Sequence, residues 1–129
     1  MVYLLVLNAC SFSKKISDPE EVLYATNWIL YKLKGNNISL EHFDKGAPYL
    51  KFSLDNSITI FTGCNIINGK FVVSGGYLTL DFSSDSNMCP VVLANDFINS
   101  LKDSKRYLIE KEKLVLMDES SVLLAFFPK

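Results

Sequence analysis

The sequence is poor in the residues from which most catalytic sites are built. Histidine occurs once among the 129 residues, as His42, so a metal cluster with more than one imidazole ligand cannot be assembled. A catalytic base needs a partner that orients it, as in a Ser-His-Asp triad, and no motif gives His42 such a partner. The acidic residues are scattered through turns, and no motif pairs two of them as the acid and base of a glycosidase. We therefore expect no enzyme, no cofactor and no metal.

An excess of charge of one sign is also missing, because 13 basic and 14 acidic side chains leave a formal charge of -1. Nucleic-acid binding normally draws on a positive field that such a balance cannot supply. The densest basic stretch, residues 102–113, is diluted by acidic side chains, which favours a solvated surface. The glycines at Gly63 and at Gly75-Gly76 lack the continuation of a phosphate-binding loop. We expect no nucleic-acid partner.

An unbroken apolar run stands at the N-terminus, where Val2 to Leu7 leads into Asn8-Ala9-Cys10. This run is too short to span a bilayer. A small residue before a cysteine, with leucine three residues before it, resembles the lipobox of bacterial lipoproteins, which are cleaved before the cysteine and anchored by a lipid on its sulfur. The resemblance implies a lipid anchor at Cys10 on the periplasmic side of the cell envelope, and Ser11 favours the outer membrane. The alternative is an ordinary first strand of a cytosolic protein.

Beyond this run, capping and turn residues divide the chain into short elements. Ser17 and Glu20 have the spacing of a capping box with Pro19 in the first turn, which predicts a short helix over about residues 18–25. From Trp28 onward the apolar residues alternate with period two, which indicates strands between turns. The predicted strands cover residues 28–33, 37–43, 49–54, 57–62, 71–73, 77–82, 106–110, 113–117 and 122–127.

One longer helix interrupts the strands. Pro90 suits a first turn, and Ala94, Phe97 and Leu101 then recur on one face at helical spacing. The last strand, residues 122–127, is apolar on both faces and is expected to be central. Many short strands with one main helix predict a mainly β (α+β) fold, in which a small antiparallel sheet curls over the helix or closes into a barrel. With 129 residues the chain should form a single core and a monomer.

A series of landmarks runs in order through residues 27–127. Trp28 opens a strand, Gly63-Cys64-Asn65 forms a turn, and Met88-Cys89-Pro90 precedes the helix. Together these look like the META domain, or HslJ-like, pattern. The resemblance implies a small β-rich envelope or secreted domain, associated in some members with stress or drug tolerance, and it brings no catalytic residues. The chain then divides into a signal-like segment (1–9), a tether with a short helix (10–26) and the META-like domain (27–129).

The three cysteines fit this picture. If Cys10 carries a lipid, an even pair remains, and in an oxidising compartment Cys64 and Cys89 are expected to form a disulfide. Two other interpretations stay open, namely two buried free thiols and a zinc site, although a zinc site lacks two further ligands. A cysteine nucleophile paired with His42 would need a thiol that neither lipid nor disulfide consumes.

Two classes of function remain. The first is a membrane-tethered module that binds an envelope protein or lipid through an exposed face or loop, with residues 34–48 and 83–87 as candidate contacts. The second is a carrier of a small apolar ligand inside a curved barrel. A packed interior favours the first class, and an enclosed apolar pocket favours the second. Abundant Phe and Leu predict a packed interior. The aromatic residues expected in the core or in cross-strand pairs are Phe52, Phe61, Phe71, Tyr77 and Phe82.

Overall fold

A computed structural model describes residues 19–39, 41, 43, 45–83 and 91–129. In this part of the chain the sequence forms two helices, α1 (Pro19–Tyr24) and α2 (Val92–Asp103), and nine strands. The strands are β1 (Asn27–Leu33), β2 (Asn36–Asn37), β3 (Tyr49–Phe52), β4 (Ser57–Phe61), β5 (Ile66–Ser74), β6 (Tyr77–Asp81), β7 (Arg106–Glu110), β8 (Lys113–Met117) and β9 (Val122–Pro128).

Eight of these strands close into an antiparallel barrel. The hydrogen-bonded order is β1-β3-β4-β5-β6-β7-β8-β9, and β9 pairs back with β1. The remaining strand, β2, only adds two residues beside the end of β1. The expectation of a mainly β fold with one main helix is therefore confirmed, and the sheet takes the closed form. Closure gives each of the eight strands a neighbour on both sides, which removes the free edges of an open sheet.

Large apolar side chains fill the interior of the barrel. Along each strand they alternate with residues that face outward, as Ile58 and Ile60 do with Ser57, Thr59 and Phe61 in β4. The interior side chains with at most 2% of their surface exposed are Trp28, Leu30, Leu50, Phe52, Ile58, Ile60, Phe71, Leu78, Leu114, Leu116, Leu124 and Phe126. Two of the rings meet edge to face, with centroids 4.9 Å apart, at Phe52 and Phe71.

Both helices contribute to the same core. In α1, Leu23 is fully buried, and its carbonyl accepts a hydrogen bond from the indole N–H of Trp28 at 3.3 Å. The apolar face of α2 is buried, and the Phe97 ring lies 6.3 Å from that of Phe126 in β9. The apolar residues whose helical spacing predicted α2 thus form the face that packs on the barrel. Leu101, on the same face, is also fully buried.

The strand predicted over residues 37–43 is wrong. β2 ends at Asn37, and the described residues that follow, up to Pro48, form no strand. The reason is competition for one edge of β1, because residues 27–29 of β1 pair with β3 and leave only Lys32 and Leu33 for β2. The predicted strand over residues 71–73 is also too short, since β5 begins at residue 66 in order to pair with β4 along its length.

Candidate functional site

The landmark residues inside the described part of the chain have structural roles. Thr62 is buried, and its Oγ1 accepts the N–H groups of Cys64 at 3.3 Å and Asn65 at 3.0 Å. Between them, Gly63 adopts a φ of +102°, and a Cβ at this position would overlap the ring of Phe43. This turn therefore holds the segment after β4 against Phe43. Trp28 is likewise a core residue.

Cys64 is disulfide-bonded. The chain has two other cysteines, Cys10 and Cys89, and both lie outside the described residues, as do Met88, Pro90 and His42. The pairing of Cys64 with Cys89 stays a prediction, and so does the lipid at Cys10.

The carboxylates with perturbed pKa values stabilise turns. Hydrogen bonds from the Ser57 hydroxyl and backbone N–H lower the pKa of Asp55. The backbone N–H groups of Ser120 and Ser121 do the same for the pKa of Asp118. Asp55 is exposed and Asp118 is half-buried, and both lie in strand connections. Across the described ranges, no three His, Cys, Asp or Glu side chains come close enough to hold a metal ion.

A continuous set of apolar side chains lies on the outer side of four neighbouring strands. The pairing register places Phe127 of β9 opposite Ile29 of β1, Ile29 opposite Tyr49 of β3, and Tyr49 opposite Phe61 of β4. The ring of Tyr31 lies 5.8 Å from that of Phe127, and those of Tyr49 and Phe61 are 5.2 Å apart. We call these five residues the aromatic face. Such pairs across strands interact favourably, yet the set remains partly open to solvent.

The aromatic face forms the floor of an open groove of about 570 Å³. Its wall comes from the connection between β2 and β3, through Ile38 and residues 45–47, and Lys129 also lines it. Part of the 34–48 segment, which the sequence suggested as a contact region, therefore borders this groove. Of the second suggested region, only Ser83 lies within the described residues, where it is exposed.

A second open groove, of about 640 Å³, separates the turn after β1 from the start of α2. Its lining mixes apolar side chains such as Leu33 and Val92 with polar ones such as Asn36, Asn37 and Asp96. None of the described residues that line it is aromatic, so they offer less planar apolar surface than the groove over the aromatic face. We therefore take the aromatic face as the candidate site.

Only part of this site could be predicted from the sequence. Phe61 is predicted in the core or in a cross-strand pair, and its pairing with Tyr49 confirms the second option. The same two options are predicted for Phe52 and Phe71, and both lie in the core. The grouping of Ile29, Tyr31 and Phe127 with Tyr49 was missed, because the residues come from three strands whose register the sequence does not reveal. The sequence did contain one signal, namely apolar side chains at positions of β1, β3 and β4 where the alternating pattern predicts an outward-facing residue.

Neither helix in the described part of the chain is long and apolar enough to cross a membrane. Comparison with known proteins gives a family and a fold. The sequence signature of the META domain matches residues 21–129, so the match begins inside α1. No curated protein matches the chain.

Three solved structures share the fold at low sequence identity. A DUF4847 family protein from Bacteroides vulgatus has a TM-score of 0.68 and 16% identity, over 85% of this chain and 96% of that one. A protein from Burkholderia xenovorans, solved by NMR, has a TM-score of 0.61 and 20% identity, over 87% and 88%. A further NMR structure has a TM-score of 0.67 and 20% identity, over 87% and 96%.

Proposed function

Because the chain belongs to the META domain family, we propose that it is a non-enzymatic binding module of the bacterial cell envelope, tethered to the membrane at Cys10. The aromatic face is its binding surface. The observation that carries this proposal is a partly exposed apolar set on the outside of a barrel whose interior is already filled. Folding accounts for apolar side chains that point inward, whereas a contiguous apolar patch that faces solvent is typical of an interaction site.

The chemistry of the groove supports binding over catalysis. Among the described residues, the polar side-chain groups that line it are the tyrosine hydroxyls of Tyr31 and Tyr49 and the ammonium groups of Lys45 and Lys129. The two carboxylates with lowered pKa values, Asp55 and Asp118, are absent from its lining and are engaged in turns. A groove with this lining can hold an apolar or anionic partner, and the described residues of its lining bring no acid and base to one reacting atom.

A carrier of a small apolar ligand is the alternative, and it has less support. Such a carrier would hold its ligand inside the barrel, where an enclosed space is needed. Here the inward side chains are large and almost wholly buried, including Trp28, Phe52, Phe71 and Phe126. The interior therefore resembles an ordinary core.

Photo-crosslinking in living cells tests the proposed function. A benzophenone amino acid at position 49 or 127 should give crosslinked adducts, because these side chains would contact the partner. The control is position 108, where Leu108 is 45% exposed on β7, close to the 41% of Phe127. Adducts from all three positions at equal yield, or from position 108 alone, would contradict the proposal.

The tether has its own test. The native protein should partition into detergent and carry acyl mass on Cys10, and Cys10→Ser should abolish both. Ser11→Ala is the matched control, because it alters the neighbouring residue without removing the sulfur. A native protein that carries no acyl group and stays in the aqueous phase would rule out this anchor.

A further inference from the structure

Lysine side chains border the aromatic face. Lys45 and Lys129 line the groove, and the Nζ atom of Lys113 lies 5.3 Å from the centre of the Tyr31 ring. All three side chains are exposed. An ammonium group over an aromatic ring is attracted by the ring's negative face. The apolar floor is thus bordered by three positive charges.

The charge on the strands is divided between two sides of the barrel. The adjacent strands β8, β9, β1, β3, β4 and β5 contain Lys32, Lys51, Lys70 and Lys113 but no aspartate or glutamate. The two strands on the opposite side, β6 and β7, contain Asp81 and Glu110 together with Arg106. The acidic side chains next to the basic side lie in connections, at Glu41, Asp55, Asp118 and Glu119. The strands around the aromatic face therefore carry only positive charge, although the net charge of the whole chain is near zero.

The backbone under the aromatic face is already paired. Strands β9, β1, β3 and β4 each have hydrogen-bonded neighbours on both sides. The face therefore presents side chains and has no free edge to which an extended peptide could add as another strand. Tyr, Phe and Lys are side chains found together where proteins meet lipid headgroups. Tyr and Lys each join an apolar body to a polar or charged end, and Phe inserts its apolar ring beside them.

From these observations we infer that the partner of the aromatic face is the surface of a membrane that contains anionic phospholipids. This inference rests on the proposed function and names the partner. Ile29, Phe61 and Phe127 enter the boundary between headgroups and acyl chains, while Lys45, Lys113 and Lys129 contact lipid phosphates. Apolar insertion combined with electrostatic attraction is the usual basis of binding at a membrane surface.

Vesicle binding by the full chain, purified without lipid, tests the inference. We expect binding to phosphatidylcholine vesicles that contain one quarter phosphatidylglycerol, and much weaker binding to phosphatidylcholine alone. Each lysine at an anionic membrane is worth about a fivefold change in affinity, so Lys45→Gln/Lys129→Gln should weaken binding about 25-fold. Lys102→Gln/Lys105→Gln, at the end of α2, removes the same charge elsewhere and should leave binding unchanged. Equal binding to both vesicles would overturn the inference.

The apolar contribution is tested by a matched pair. Phe127→Ser should weaken vesicle binding at least about tenfold, because a large side chain no longer inserts. Leu108→Ser removes a side chain of similar exposure on the opposite side and should have no effect. Every variant keeps the same N-terminus, so the apolar run before Cys10 contributes equally to all of them. Equal binding of both variants would overturn the inference.

The position of the contact can be measured independently of affinity. With a nitroxide-labelled phospholipid in the vesicle or nanodisc, amide signals of β1, β3, β4 and the end of β9 should broaden. Broadening centred on α2 or β7 would overturn the inference.

If the vesicles are not bound while crosslinks from position 49 join a protein, the lipid inference is wrong and the proposed function stands. If position 49 gives no adduct in cells, the proposed function fails as well.

Discussion

The interior of the barrel and the aromatic face are both apolar, and they are built from the same strands. In β1, Trp28 and Leu30 point inward and are almost fully buried, while Ile29 and Tyr31 point outward and remain partly exposed. Burial explains the inward pair, because removing apolar surface from water drives folding. It explains the outward pair only in part. Folding therefore determines one side of each strand and leaves the other side available for function.

The largest effect is expected from a substitution in the interior. Phe52→Ala removes a fully packed ring that meets Phe71 edge to face, and it should lower the free energy of unfolding by about 3–5 kcal/mol. Urea denaturation followed by circular dichroism measures this. The matched substitution Phe61→Ala, on the aromatic face, should cost about 1 kcal/mol or less. Similar losses for both would mean that the face is part of the core.

Loss of the disulfide should have the next largest effect. If Cys64 pairs with Cys89, then Cys89→Ser should lower the free energy of unfolding by about 3 kcal/mol, because the unfolded chain is no longer closed into a loop. It should also leave Cys64 reactive toward a thiol reagent after denaturation. Cys10→Ser is the control and should change neither property. A free thiol at Cys64 in the Cys10→Ser protein would instead show that Cys10 is its partner.

A backbone substitution at the turn after β4 should have an intermediate effect. Gly63→Ala should cost about 1–3 kcal/mol, because φ is +102° and the new Cβ would overlap Phe43. Gly75→Ala is the control, since its φ is also positive but no atom lies within 4 Å of an added Cβ. Its cost should be smaller, about 1 kcal/mol. Denaturation midpoints of the two variants measure the difference. Equal midpoints would mean that the ring of Phe43 moves away from the new Cβ at no cost in stability.

The smallest effect is expected inside α2. The Oγ of Ser100 is buried, and it has no hydrogen-bond partner in the part of the chain that the structure describes. Ser100→Ala should therefore raise the free energy of unfolding by about 1 kcal/mol. Ser104→Ala should lower it by a similar amount, because the Ser104 hydroxyl donates to the Ser100 carbonyl at 2.8 Å. A loss of stability in both variants would show that Ser100 also has a partner.

The sequence predicted the local elements well where turn residues bound an alternating segment. β7 and β8 were predicted with the bounds that the structure has, because polar turns flank both strands. The helix face of Ala94, Phe97 and Leu101 was also predicted. β2 was predicted too long, since a local pattern does not show that β3 already occupies part of the same edge.

Contacts between distant strands could not be predicted in the same way. Closure of the barrel depends on the pairing of β1 with β9, which joins the two ends of the domain. The aromatic face depends on that pairing too, because it places Phe127 beside Ile29. Local alternation indicates which side of a strand a residue faces, but it does not indicate which strand lies next to it. The fold class was therefore predictable, while the candidate site was not.

Oxidative footprinting of the native protein tests most directly the central claim that the aromatic face is covered by a partner in the cell. Hydroxyl radicals are generated in intact cells and around the purified protein, and the modification of each side chain is measured by mass spectrometry. The account predicts that Tyr31, Tyr49 and Phe127 are protected in cells, while Tyr77 and Leu108 on the opposite side are oxidised equally in both samples. Equal oxidation of the aromatic face in cells and in the purified protein would contradict it.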